Sequence, residues 1–243
     1  MGDRPLAGLK VVVTRPDPQS QGLVAGLEAL GAVVASVPLV AIAPVDDPAA
    51  LDAAAGALPI YDWVVFTSAN GVRAFGERLT ARERPPRVGV VGPATADAAR
   101  ELGVEPAFVG RGAAESLAEG LELADGARVL LLQADLAGPE LATALRERGA
   151  AADVLTAYRT VSREPSDTGR ASLDEADAIV LASGSAARSL AGTGWAGDAL
   201  VACIGPKTAS VAREVGLRVG LVAGEASADG IIRALVEHFG EST

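Results

Sequence analysis

Five short segments carry the groups best suited to chemistry: Thr14-Arg15-Pro16, Thr67-Ser68-Ala69-Asn70, Gly92-Pro93-Ala94-Thr95, Ser183-Gly184-Ser185 and Gly205-Pro206-Lys207-Thr208. Each follows a short apolar run, each is built from small, hydroxyl-bearing or glycine residues, and four open a predicted helix. The first turn of a helix leaves backbone N–H groups unpaired at the positive end of its dipole, which is a ready site for a carboxylate or phosphate. Taken singly, each segment is equally well explained as an N-cap, because Ser and Thr are favoured there. Tyr158 is a different kind of candidate. It is one of two tyrosines, followed by Arg159 and Thr160, and a phenol is a weak acid that stays protonated at neutral pH and can give a proton to a leaving hydroxyl. An amphipathic residue at a domain boundary would look the same.

Other patterns carry no chemistry. Gly192-Thr193-Gly194-Trp195-Ala196-Gly197 has dinucleotide-type glycine spacing, but it follows a predicted helix and precedes a strand, the reverse of what that fingerprint needs. In Gly205-Pro206-Lys207-Thr208 a proline separates the glycine from the lysine, and no earlier glycine stands at Walker spacing. The single cysteine, Cys203, lies in an apolar run and reads as an inert buried thiol; the single histidine, His238, reads as solvated on the last helix. One of each excludes an intrachain disulfide, a cysteine-based zinc site and a paired-histidine metal site. Asp46-Asp47 and Asp174-Glu175 fall in segments read as polar connectors and solvated faces.

The elements that must position these groups repeat. Leu9–Thr14, Asp62–Phe66, Val88–Val91, Arg128–Leu132, Asp177–Leu181 and Val201–Ile204 read as buried parallel strands. Helices follow, as with Leu23, Leu27 and Leu30 before Gly31, or Leu141 and Leu145 before Gly149. Val33–Ala43, with Pro38 inside it, and the stretch through Val154, Leu155 and Tyr158 read as extended connectors. Gly149 stands 118 residues after Gly31, Asp177 115 after Asp62, and Thr208 113 after Thr95. So regular an offset marks two α/β units of one plan. The repeat leaves two arrangements open: tandem units with a linker near Gly120–Gly126, or a first unit completed by the last third of the chain.

Composition sets the outer limits. The 243 residues are 49% hydrophobic and 3% aromatic, so Val, Leu, Ile and Ala must fill the core. With 21 Lys plus Arg against 31 Asp plus Glu, the net charge is −10. That opposes a broad nucleic-acid or anionic-membrane surface but not a local pocket for a small anion. No targeting segment or membrane span is expected, and the expected location is cytoplasmic.

Val13-Thr14-Arg15-Pro16, Asp62 through Val72, Val91-Gly92-Pro93-Ala94-Thr95-Ala96, Val154 through Thr160 and Ile204-Gly205-Pro206-Lys207-Thr208-Ala209 together resemble, in order and spacing, the uroporphyrinogen-III synthase family of tetrapyrrole biosynthesis. The resemblance covers essentially the whole chain. It implies two similar parallel-sheet α/β lobes joined by a two-stranded connector, and it favours exchange over tandem order: residues 1–38 plus 162–243 in one lobe, 39–161 in the other. It implies a hydro-lyase that cyclises linear hydroxymethylbilane, expelling the terminal hydroxyl as water and inverting the last pyrrole ring through a spiro intermediate. No metal or cofactor is implied.

By the same resemblance Tyr158 is the proton donor. Thr67, Ser68, Asn70, Thr95, Ser183, Gly184, Ser185 and Thr208 grip the substrate's eight carboxylates with their backbone N–H groups, and Arg15 and Lys207 add charge. Arg73 and Arg188 stand one turn further on. Two departures stand out. Leu132-Gln133-Ala134-Asp135 occupies the place of Thr14-Arg15-Pro16, so no anion contact is expected there, and Ala182 replaces the counterpart of Thr67. The partner expected is the bilane alone, with no nucleic acid or membrane; the protein is expected to be a monomer, with room for a transient contact with the preceding pathway enzyme. Two rivals fit less well. A non-catalytic relative sensing a tetrapyrrole would often carry a fused DNA-binding module, and a sugar-nucleotide transferase would carry a clear phosphate loop.

Overall fold

The computed structural model describes residues 4–15, 20–79, 87–112 and 114–240. The chain divides into two compact units, residues 1–41 with 161–243 and residues 42–160. The discontinuous unit holds β1 (Lys10–Val13), α1 (Gln21–Ala29), β2 (Val33–Ser36), α7 (Asp167–Asp174), β9 (Ala178–Leu181), α8 (Gly184–Gly192), β10 (Leu200–Cys203), α9 (Pro206–Glu214), β11 (Val219–Val222) and α10 (Ala228–Gly240). The continuous unit contains α2 (Ala49–Gly56), β4 (Trp63–Phe66), α3 (Ala69–Gly76), β5 (Val88–Val90), α4 (Pro93–Glu101), β6 (Phe108–Val109), α5 (Ala114–Gly120), β7 (Arg128–Ala134) and α6 (Glu140–Glu147). The chain passes from one unit to the other along β3 (Val40–Ala43) and β8 (Ala151–Ser162), which are neighbours in one sheet.

The two sheets have one plan. The five-stranded sheet runs β2-β1-β9-β10-β11 and the six-stranded sheet β3-β8-β7-β4-β5-β6. Removing β3 leaves the same order, with β8 for β2, β7 for β1, and β4, β5, β6 for β9, β10, β11. Even the register agrees: Lys10 lies opposite Val33 and Arg128 opposite Ala151, the second pair displaced from the first by 118 residues in both strands. The units are therefore circularly permuted copies. In the first, the β1–β2 half comes first in the chain; in the second, the equivalent β7–β8 half comes last. A tandem linker near Gly120–Gly126 is excluded, because α5 and β7 flank that stretch inside a single unit.

Central strands are short, wholly apolar and buried at every residue, as in β4 (WVVF) and β9 (AIVL), because helices cover both faces. Alternate residues feed different cores. Val64 and Phe66 of β4 join Leu130 and Leu132 of β7 on one face; Trp63 and Val65 join Val129 and Leu131 on the other. Val11 and Val13 likewise face one core of the first unit and Val12 the other. Pro38 separates β2 from β3, which both lie at sheet edges, where a missing N–H costs no ladder bond. Gly31 and Gly149 follow α1 and α6 with φ of 95° and 85°, the left-handed conformation that ends a helix and favours glycine.

Some elements escape the sequence pattern. α2, β6, α5, α7 and β11 are short or irregular in hydrophobic period. Asp174-Glu175 ends α7 rather than lying in a connector, and Glu175 pairs with Lys10 at 2.8 Å. Asp46 pairs with Arg159 at 2.8 Å, and Asp47 accepts from the Ala49 N–H, so these acids fasten segments as well as facing water. Cys203 is fully buried, and burial pushes its thiol up to about 11. His238 is exposed, with its ring edge against Phe239. Among the described residues no helix is long and apolar enough to cross a membrane.

Candidate active site

At the carboxyl ends of the strands each predicted turn is a helix start, but the roles of its residues differ. Ser68 caps α3, its Oγ accepting the Gly71 N–H at 3.0 Å; Ser183 caps α8 in the same way, accepting from Ala186 at 3.1 Å. Each hydroxyl keeps its own proton to donate. At α4 and α9 the caps are Gly92 and Gly205, followed by Pro93 and Pro206 in the first turn, where a proline's missing N–H costs nothing. Thr95 and Thr208 therefore sit at the third helical position rather than at the cap, and both are buried. Gly184 opens α8, and a Cβ there would meet Val211 at 3.0 Å, so close packing of α8 against α9 already requires its small size.

Two threonines seal the sheets. Thr14, fully buried, donates to the Val180 carbonyl at 2.8 Å; Thr67 donates to the Leu132 carbonyl at 3.4 Å. Both bonds cross equivalent strand pairs, but from opposite strands. Pro16 lies outside the described residues. Arg15 has an exposed side chain, yet enough protein surrounds it for desolvation to lower its guanidinium from the ordinary value; it is still a cation at neutral pH. Lys207 is exposed on the first turn of α9, and Ser185 is half-buried on that of α8.

The residues that come together lie in the continuous unit. Tyr158 and Ala157 of β8, Asn70, Arg73, Glu77 and Arg78 along α3 and its end, and Ile42 after the start of β3 line a cleft of about 390 Å³. α3 presents Asn70, Arg73 and Glu77 on one side because they recur at helical spacing. Arg73 makes a loose pair with Glu101 at 3.4 Å, both side chains at least half exposed. Such a pair contributes little and yields readily to a stronger anion. Arg78 is held more deeply: it donates to the Ala74 carbonyl, and its Nε lies 2.9 Å from Asp52, near enough for an ion pair though not aligned as a hydrogen bond. Sequence reasoning noticed Arg73 by its place one turn into a helix, but not that it shares a cleft with Tyr158. Arg78 carried no signal.

The second tyrosine is built differently. Tyr61 donates to Asp153 at 3.0 Å in a separate cleft of about 370 Å³, with Arg128 over its ring at 5.5 Å. Burial and the Asp153 carboxylate push its phenol up, with Arg128 opposing them. Its proton is committed. Among the described residues no hydrogen bond engages the Tyr158 hydroxyl. No group of three or more His, Cys, Asp or Glu side chains converges as metal ligands among the described residues.

Against this geometry, a family model described as uroporphyrinogen-III synthase HemD matches residues 21–233. The chain belongs to the uroporphyrinogen-III synthase family. It is 31% identical to the uroporphyrinogen-III synthase of Synechococcus elongatus, with all of both chains aligned. It is 30% identical to the porphyrin biosynthesis protein HemD of Ruminiclostridium josui over 96% of this chain, which spans about half (49%) of that relative. Among solved structures, a mutant uroporphyrinogen III synthase of Thermus thermophilus superposes with a TM-score of 0.63 at 22% identity, covering 97% of this chain and 100% of that one. The uroporphyrinogen-III synthetase of Helicobacter pylori gives 0.66 at 17% identity, covering 95% and 99%. At such identities these two show a shared fold. Members of the synthase family are enzymes of the hydro-lyase type in porphyrin and haem biosynthesis, and this chain is one of them. The non-catalytic reading is not favoured by any of these similarities.

Proposed function

We propose that the cleft beside Tyr158 is where this uroporphyrinogen-III synthase handles the reacting end of hydroxymethylbilane. The supporting observation is that a buried tyrosine with an uncommitted hydroxyl shares one cleft with a loosely paired arginine. Tyr158 donates its phenolic proton to the terminal hydroxyl, which leaves as water while the pyrrole nitrogen supplies the electron pair. The cation so formed is attacked by the substituted α-carbon of the last ring to give the spiro intermediate. The original bond from that carbon to its methylene bridge then breaks, leaving a second cation on the neighbouring ring, which the free α-carbon of the last ring attacks. When the inverted ring closes the macrocycle, loss of a ring proton restores aromaticity and the phenol. The step consumes no net proton, in keeping with a single donor.

Arg73 exchanges its contact with Glu101 for a substrate carboxylate, and the Asn70 amide lies one turn away on the same helix. The remaining carboxylates meet the helix starts: Thr67 and Ser68 on α3, Thr95 on α4, Ser183, Gly184 and Ser185 on α8, Thr208 on α9. Backbone N–H groups are the main donors, since Thr67 already spends its proton on Leu132 and Thr95 and Thr208 are buried. Arg15 and Lys207 supply charge. Much of the rate then comes from holding the bilane folded, because positioning alone lowers such barriers by several kcal/mol. The enzyme works as a cytoplasmic monomer on a free small-molecule substrate.

Freshly prepared hydroxymethylbilane tests this directly. The expected product is uroporphyrinogen III; only the uninverted isomer I would refute the assignment. Tyr158→Phe is expected to lower kcat by about a hundredfold, the size of a lost general acid, with the fold retained. A rate equal to the parent's would remove Tyr158 from the chemistry.

A further inference from the structure

Tyr158 lies on the α3 side of its sheet only because β8 breaks its alternation. Along β8, Ala152 and Val154 pack into the core on one face and Leu155 and Ala157 into the core on the other. Continued alternation would send Tyr158 after Val154, away from α3. Instead Ala157 and Tyr158 are both buried in the α3-side core. The ladder shows how: Gln133 of β7 lies opposite Thr156, yet the next residue, Ala134, lies opposite Tyr158, leaving Ala157 as an extra residue. This is a β-bulge, and in a parallel pair such as β7–β8 bulges are rare. A one-residue slip exchanges the faces of everything beyond it.

The strand beyond the bulge is tied by one side chain. Asp135 Oδ1 accepts the Thr160 N–H at 3.0 Å and its neighbour Leu136's N–H at 3.0 Å, while the Asp135 N–H donates to the Tyr158 carbonyl at 3.2 Å. Asp135 thus holds the backbone at Tyr158 itself and two residues further on. We propose that Asp135 is a positioning residue for the reaction, fixing the Ala157 bulge so that Tyr158 enters the cleft rather than the opposite face. In this turn Gln133 stands where the other unit carries Arg15, and the Asp135 carboxylate serves the backbone instead of meeting an anionic ligand. The inference rests on the assignment of proton donation to Tyr158.

The test labels both tyrosines with 3-fluorotyrosine and follows fluorine resonances alongside steady-state kinetics. Tyr158→Phe identifies the Tyr158 signal. Asp135→Ala is expected to shift or broaden that signal, leave the Tyr61 signal in place, and lower kcat about tenfold with little change in KM, as misplacement of a reacting group does. Asp135→Asn keeps an oxygen that accepts the same two N–H groups, and is expected to return both kcat and the resonance close to the parent's. Asp135→Glu keeps the charge but moves the acceptor by one methylene, and is expected to behave like Asp135→Ala, which also covers the case of an alanine variant that does not fold. An unmoved Tyr158 resonance in the Ala and Glu variants overturns the proposal, as does a shifted resonance with parental kcat. Parental kcat in Tyr158→Phe would instead overturn the proton-donor assignment, with the resonance shifts still reporting the bulge.

Discussion

Two tyrosines on one chain show how surroundings decide what a side chain can do. Tyr61 commits its proton to Asp153, whereas Tyr158 lines a cleft with Arg73 and Asn70, and no hydrogen bond among the described residues engages its hydroxyl. Neither fact is legible from composition, because both tyrosines sit beside apolar residues and differ only in what the fold brings to them. Cys203 is the opposite case, since its apolar neighbours along the strand already announce burial. With its thiol pushed up to about 11, Cys203 is expected to resist alkylation in the folded protein at pH 8.5 and to react rapidly once denatured. The sign follows from the raised value. The neutral thiol is favoured by folding, so its contribution to stability is complete below the unfolded thiol's pKa and is lost as the pH rises through about 11. Equal labelling of native and denatured protein would contradict this.

At the level of elements, helix starts do two jobs, satisfying their own first turn and facing a ligand. Ser68 and Ser183 each bind one N–H of their own helix, so replacing either by Ala is expected to cost about 1 kcal/mol in urea unfolding. The two lie in different units with no shared partner, so the double variant is expected to lose the sum. A marked departure from additivity would reveal a coupling through the fold. The same turns were readable in advance because an apolar run followed by Ser, Thr or Gly-Pro is a local signal. The caps at Gly92 and Gly205, which leave Thr95 and Thr208 buried at the third position, were not, since Thr and Gly are both good caps and only backbone geometry chooses. The bulge at Ala157 left no trace in the sequence either: an extra alanine in a twelve-residue strand changes no composition and no period long enough to measure.

For the whole molecule, the permuted order of the two units has a consequence for folding. The six-stranded sheet is complete within residues 40–162, while the five-stranded sheet needs both ends of the chain. A fragment of residues 39–162 is expected to show a single cooperative thermal transition by circular dichroism, because its strands and both its cores are in place. Non-cooperative melting of that fragment would mean that the unit depends on the rest of the chain. The net charge of −10 also belongs to this scale. On the reading proposed above, a polyanionic substrate is bound against it, so the attraction falls to local donors at short range, where screening by salt is weakest.

The six buried strands, the helix-opening turns and the repeat at offsets of 113, 115 and 118 residues followed from the sequence alone, because hydrophobic period and cap chemistry are local and recur in both copies. Tertiary structure decided which strand lies beside which and which tyrosine is open. It also fixed the face on which Tyr158 lines one cleft with Arg73, which follows a register shift in β8 beside the Asp135 carboxylate, whose bond to Thr160 spans 25 residues of chain. Contacts between residues so far apart in sequence leave no periodic mark on it.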